Sequence, residues 1–252
     1  MYRACDSLTS HKIAPIILIV RREPEQLDFD RRRWGGRRPG AGRKPGPSPR
    51  LRHRSREPFG RGLPCHVTLK VRKDVPSLRT VRLVKEVERT FARGCERGAF
   101  RLVHYSLQGD HAHLIVEAAD RDALGRGMKA VGSRLARAVN RVFGRSGPVL
   151  ADRYHVRVLR TPREVRNALA YVLLNARRHA AKAGRRLSRA LAIDPASSGR
   201  WFDGWTRRKS PGIEGSGPSP PSAPAVSSPH SWLLTEGWRR RGLLDPDEVP
   251  GS

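Results

Sequence analysis

Regular alternation of apolar and polar positions begins near Pro64. The run His66-Val-Thr-Leu-Lys-Val71 alternates and is rich in β-branched residues, which predicts a strand. From Ser77 to about Arg97 the apolar residues Leu83, Val84, Val87 and Phe91 follow helical spacing, with Gly94 or Gly98 as the stop. Phe100 to Leu107 and His111 to Ala118 read as two strands joined by Gln108-Gly109-Asp110, a hairpin signal. Arg121 to Phe143 carries Leu124, Met128, Val131, Leu135, Val139 and Val142 on one face, an amphipathic helix with a basic outer side. A short strand is expected from His155 to Leu159. Thr161-Pro-Arg-Glu164 then opens another helix, with Thr as N-cap, Pro at the first position and Glu three residues after the cap. That helix is expected to run to about Lys182.

The predicted order is strand, helix, strand, strand, helix, strand, helix. It predicts an α+β, ferredoxin-like fold: an antiparallel sheet with helices on one face and an added C-terminal helix, βαββαβα. The patterned part spans 63–185. Residues 1–62 read as a disordered basic arm, 186–206 as a Trp-containing extension able to pack Trp201 and Trp205 on the core, and 207–252 as a Pro/Ser-rich linker and tail. Ser231-Trp-Leu-Leu to Leu244 is a short stretch of higher order within that tail.

Composition sharpens this picture. The chain has 252 residues, 51 Lys+Arg and 23 Asp+Glu, a formal charge of +28. Such a charge attracts polyanions, nucleic acid first, and argues against an ordinary neutral metabolic enzyme. Between Arg31 and Arg56 there are eleven Lys/Arg and no acid, interrupted by Gly and Pro. Arg37, Arg38, Arg43 and Lys44 in this arm are candidates for nonspecific phosphate contacts. Cys5, Cys65 and Cys95 show no paired spacing, so neither a disulfide framework nor a Cys-based zinc site is expected. The apolar run from Ile13 to Val20 contains Pro15 and is too short to span a bilayer. A cytoplasmic, nucleoid-associated protein with no membrane partner is expected.

Candidate chemistry concentrates at two places. In a strand, His111 and His113 point to the same side, about 7 Å apart at Cα, while Ala112, Leu114 and Val116 point to the other. Two imidazoles on one face suit a divalent metal, and equally suit two partly exposed strand histidines. In the last helix Tyr171 and Asn175 are four residues apart and share a polar face with Asn167 and Arg178. Val165, Leu169, Val172 and Leu173 cover much of the opposite side. Tyr171 is either a site residue or a rim tyrosine with a wet hydroxyl. The rivals Tyr105 and Tyr154 lack an amide four residues on. Lys129, Arg134, Arg137 and Arg141 form a candidate phosphate track along the long helix, with Arg126.

These residues carry a family resemblance. The strand from Val103 to Glu117, with His111-Ala112-His113, resembles the His-hydrophobic-His strand of HUH single-tyrosine transposases. Ala151-Asp-Arg-Tyr-His155 and Tyr171-Val-Leu-Leu-Asn175-Ala-Arg-Arg-His179 resemble the REP-associated tyrosine transposase branch. The likeness covers roughly Pro64 to Lys182. Ala112 stands where a bulkier residue is usual. Ala176 stands where many relatives have proline, which predicts an uninterrupted helix through Asn175.

The resemblance implies a metal-dependent endonuclease and strand transferase acting on single-stranded or hairpin DNA. His111, His113 and Asn175 would hold Mg²⁺ or Mn²⁺, and Tyr171 would be the nucleophile, forming a 5′-phosphotyrosine. The joining step would need no ATP. Arg178 is a candidate DNA contact beside it, and His155 and His179 are candidates for capping or phosphate contact. The oligomeric state, monomer or homodimer, is open. Two other functions stay in view: a domesticated nucleic-acid-binding protein without cleavage, and a two-histidine phosphoesterase built on His66-Val-Thr68. Chelation separates the last from a tyrosine enzyme.

Overall fold

A computed structural model of the chain describes residues 62–94, 96–184, 193–206 and 224–251, all within one unit, Arg56–Ser252. The basic arm with Arg37, Arg38, Arg43 and Lys44 lies outside the described residues.

The elements follow the expected order. They are β1 (Pro64–Lys70), α1 (Val81–Ala92), a two-residue β2 (Glu96–Arg97), β3 (Phe100–Leu107), β4 (His111–Ala118), α2 (Arg121–Phe143), β5 (His155–Val158), α3 (Pro162–Leu173), α4 (Asn175–Lys182) and α5 (Trp232–Thr235). The strands form one sheet in the order β2-β3-β4-β1-β5, with every neighbouring pair antiparallel. Without the minimal β2, this is the four-strand ferredoxin-like order, with β1 and β4 central. Side chains alternate across the pleat, so Cys65, Val67 and Leu69 of β1 face the same core as Leu114 and Val116 of β4. Leu83, Val87 and Phe91 of α1 and Leu124, Met128, Val131 and Leu135 of α2 cover that face. Asp120 caps α2, accepting the amide N–H of Ala123 at 2.7 Å, and Gly144 ends the helix in the left-handed region at φ 61°.

The other sheet face is covered by α3 and the C-terminal segment. A bulge between Leu102 and His104 puts Val103 on this face beside Ile115, beneath Val165, Leu169 and Val172. Leu233, Leu234, Trp238 and Leu244 belong to this core, while Ala225 and Val226 pack in the α1–α2 core. Leu234, Trp238 and Leu244 pack on α3, and Phe202 and Trp205 join them. The reason is physical: α3, Val103 and Ile115 carry more apolar surface than one helix can hide. Polar straps fix the segment. The Glu117 carboxylate accepts the backbone N–H of His230 at 2.8 Å and of Ser231 at 2.7 Å, and Arg166 pairs with Glu248 at 2.9 Å through both guanidinium arms.

The last helix departs from expectation. The capping box at Thr161 and Glu164 forms, but the helix is broken at Leu174 (φ −110°, ψ 17°) and restarts as α4 at Asn175. Val172, Leu173, Leu174 and Asn175 are all at most 2% exposed. Four consecutive residues sweep most of a helix circumference, so one straight helix on a surface cannot bury them all. The break turns the chain inward and does so without proline. Among the described residues, no helix is long and apolar enough to cross a membrane.

Candidate active site

β4 and β1 together build the polar end of the second sheet face. Ala112, Leu114 and Val116 enter the α1–α2 core, which leaves His111 and His113 facing the α3 side. The antiparallel register aligns Thr68 of β1 and Ser106 of β3 with His113, and His155 of β5 with Thr68. Cross-strand partners share a face, so His113 meets polar neighbours from its flanking strands. Its Nδ1 lies 3.2 Å from Thr68 Oγ1 and 3.2 Å from His66 Nε2. Its Nε2 lies 3.0 Å from Nε2 of His111. Asp110 accepts the Nδ1–H of His111 at 2.7 Å.

α3 brings Tyr171 to this cluster. Its ring stands edge-on to His113 at 4.9 Å between centroids and to His66 at 5.7 Å. The guanidinium of Arg178, on α4, lies 5.0 Å from the centre of the Tyr171 ring. The rival tyrosines are elsewhere: Tyr105 is buried in the α1–α2 core, and Tyr154 packs against that same core.

Asn175 is fully buried, and neither its Oδ1 nor its Nδ2 has a hydrogen-bond partner. A buried unpaired polar group costs about 1–3 kcal/mol and calls for an explanation such as an ion. Among the described residues there is no cluster of three His, Cys, Asp or Glu able to hold a metal. A donor set of two imidazoles and one amide is a different matter. Two neighbouring ligands at about 2.1 Å from one ion, at a right angle, stand about 3.0 Å apart, and the His111 and His113 nitrogens match that separation. The histidine pair therefore fits a divalent cation that takes nitrogen donors.

Burial keeps the His113 and His66 imidazoles neutral. Burial first, then the charges of His66, His111, His179 and Arg178, push His113 down to about 3. Burial and the Arg157 guanidinium push His66 down to about 4. Burial, with His111 and Arg178 next, also lowers His179. The hydrogen bond from His111 holds the Asp110 carboxyl below the usual range. Neutral imidazoles are ready ligands.

Lys129, Arg137 and Arg141 lie exposed on α2, on the sheet face away from the histidine pair, and Arg141 is paired with Glu86. Arg134, on the same helix, runs its guanidinium beside Gly94. Sequence reasoning overlooked Asp110 as a partner of His111, and took His66 and Thr68 for part of a rival motif. The usable signal was the strand pairing: antiparallel β1 against β4 places a His-x-Thr beside a His-x-His.

No family model and no curated protein matches the chain. Among solved structures it is similar to a REP-associated tyrosine transposase bound to a REP hairpin, at 16% identity and TM-score 0.45, over 69% of this chain and 97% of that one. It is also similar to a transposase-like protein of Deinococcus radiodurans, at 16% identity and TM-score 0.31, over 45% of this chain and 87% of that one. A bacterial tRNA(His) guanylyltransferase-like protein in complex with ATP is similar at 11% identity and TM-score 0.37, over 50% of this chain and 63% of that one.

Proposed function

We propose that this protein is a transposase-like, metal-dependent endonuclease and strand transferase for single-stranded or hairpin DNA, working through a 5′-phosphotyrosine on Tyr171. One observation carries this: Tyr171 lies edge-on to His113, where, among the described residues, two imidazole Nε2 atoms converge. The unpaired buried amide of Asn175 supports it from the next turn of the chain.

His111 and His113 through Nε2, and Asn175 through Oδ1, would hold Mg²⁺ or Mn²⁺. When bound, such an ion polarises the scissile phosphate and orients it for displacement. Tyr171 gives its phenol proton to solvent and attacks phosphorus in line through the phenol oxygen. The P–O3′ bond breaks, the tyrosine is left with a 5′-phosphate ester, and the departing 3′-oxygen takes a proton from solvent. Arg178, beside the Tyr171 ring, stabilises negative charge on the attacked phosphate. The ester keeps the bond energy, so a second 3′-hydroxyl can reverse the step and join strands without ATP. His111 is oriented by Asp110, and the α3 core under Tyr171 fixes the helix from which the nucleophile projects. The arm from Arg31 to Arg56 serves as a phosphate contact for the duplex stem; Lys129 and Arg137, exposed on the far side of the sheet, are placed to meet only DNA that extends beyond the site.

Cleavage of a hairpin oligonucleotide with a single-stranded flank, with and without Mn²⁺, tests this function. Cleavage that stops with chelator and returns with Mn²⁺ is expected. Undiminished cleavage in chelator would favour the metal-free two-histidine phosphoesterase.

A further inference from the structure

Among the described residues, Trp232 is the one tryptophan, tyrosine or phenylalanine left exposed, at 49%. It is nevertheless held in place. The Glu117 carboxylate accepts the backbone N–H groups of His230 and Ser231, immediately before it. Leu233 and Leu234, immediately after it, are buried in the core beside α3. Gly237 lies over its ring: three successive carbons of the six-membered ring stand 2.8, 3.0 and 3.1 Å from where a Cβ would be. Near-equal distances to three neighbouring carbons mark an approach to the face of the ring, which only a residue without Cβ permits. Backbone and ring are therefore fixed before any partner arrives, which lowers the entropy cost of binding.

The surroundings are cationic. The Arg240 guanidinium lies 5.1 Å from the centre of the Trp232 ring. Arg239, Arg240 and Arg241 face a single acid, Glu236, in the stretch from Ser231 to Gly242. Arg239 pairs with Asp203, whereas Arg240 and Arg241 are exposed and pair with no carboxylate among the described residues. An exposed indole beside unpaired guanidiniums fits a nucleotide, with the base stacked on the ring and the phosphate against the arginines. Bases inside a duplex are stacked on one another and offer no free face, so the nucleotide must be unpaired.

We infer that Trp232, with Arg240 and Arg241, is a stacking platform for an unpaired nucleotide of single-stranded DNA. The choice of DNA rests on the proposed function. Glu117, to which Ser231 is tied, stands six residues along β4 from His111, about 20 Å by the strand rise. The platform thus sits at the sheet end opposite the histidine pair and Tyr171. A single strand engaged at Tyr171 is gripped several nucleotides away, by residues that take no part in the chemistry.

The test is binding of oligo(dT) by the full chain in chelator, so that no cleavage intervenes, with a blunt duplex as control. Trp232→Ala should weaken oligo(dT) binding by about 5- to 150-fold, the range for loss of one base–aromatic stack, and leave binding of the blunt duplex within about twofold. Trp232→Tyr should recover most of the loss. Arg240→Gln with Arg241→Gln should flatten the slope of log K against log salt for oligo(dT) by about 1.4, the sum for two phosphate contacts on a single strand. That double variant decides the matter if Trp232→Ala does not fold. Oligo(dT) binding that is unchanged in Trp232→Ala, or lost equally with duplex binding, overturns the inference, and so does an unchanged salt slope. If Trp232 governs oligo(dT) binding while the parent chain forms no covalent adduct with hairpin DNA, the platform stands and the proposed reaction falls.

Discussion

Tyr171 presents its ring edge-on to His113, 4.9 Å between centroids, although the two residues come from a helix and a strand far apart in sequence. The contact depends on α3 lying across the sheet face opposite α1 and α2. That placement in turn depends on Val103 and Ile115 offering an apolar seat beside the polar His111–His113 end.

The orphaned amide of Asn175 predicts an unusual separation of stability from function. Asn175→Ala removes a buried group with no partner and improves helix propensity, so stability should be unchanged or about 1 kcal/mol higher. Affinity for Mn²⁺ should fall at least about tenfold, as it does even for residues one step removed from a metal. A melting curve and Mn²⁺ binding on the same sample check both. A destabilised variant that binds Mn²⁺ normally would show that the amide serves packing only.

Acid should destabilise the fold through His104. Burial lowers this histidine to about 4, from an ordinary value of 6.5, and its ring lies 3.2 Å from Ser198 Oγ in a buried contact. The unfolded chain binds a proton more readily in that interval. Stability is therefore fully present above pH 6.5 and is lost as pH falls toward 4. The share of His104 is about 2 kcal/mol between pH 7 and pH 5. Denaturant titrations at the two pH values should show a smaller loss for His104→Gln than for the parent chain. An equal loss would assign the acid sensitivity to other groups.

Gly127 of α2 packs against the Phe100 ring of β3, and a Cβ at this position would overlap three of its ring carbons. Gly127→Ala should therefore destabilise by about 1–3 kcal/mol, despite alanine's better helix propensity. Adding Phe100→Leu should recover part of that loss, a coupling readable in a double-mutant cycle. Simple additivity of the two changes would contradict the close packing.

The basic arm should supply affinity without chemistry. Deleting residues 31–56 removes eleven Lys/Arg and no acid. Binding to hairpin DNA should weaken and the slope of log K against log salt should flatten, while cleavage at saturating DNA persists. An unchanged salt slope would place the arm off the DNA.

Local patterning made part of this protein legible in its sequence. β3, β4 and α2 were predicted with the bounds observed, because hairpin turn residues, strict alternation and a long 3.6-residue period all act locally. The capping box at Thr161 was legible for the same reason. Features set by tertiary packing were not. The break at Leu174 comes from burying four consecutive residues, and the packing of Trp238 comes from the surplus apolar surface of α3. At the site, the shared face of His111 and His113 followed from period two. The contacts of His66 and Thr68 with His113 followed only from the β1–β4 register, which no single strand encodes.

Covalent capture of DNA by Tyr171 is the most direct measurement. The full chain is incubated with a labelled single-stranded hairpin substrate and Mn²⁺, denatured, and examined for label that migrates with protein. The parent chain should give a covalent band. Tyr171→Phe should give none, while binding the same DNA within about twofold of the parent, since one hydroxyl adds little to an affinity dominated by phosphate contacts. A band of equal intensity from Tyr171→Phe, or none from the parent chain under conditions where it cleaves, would contradict a Tyr171 phosphotyrosine.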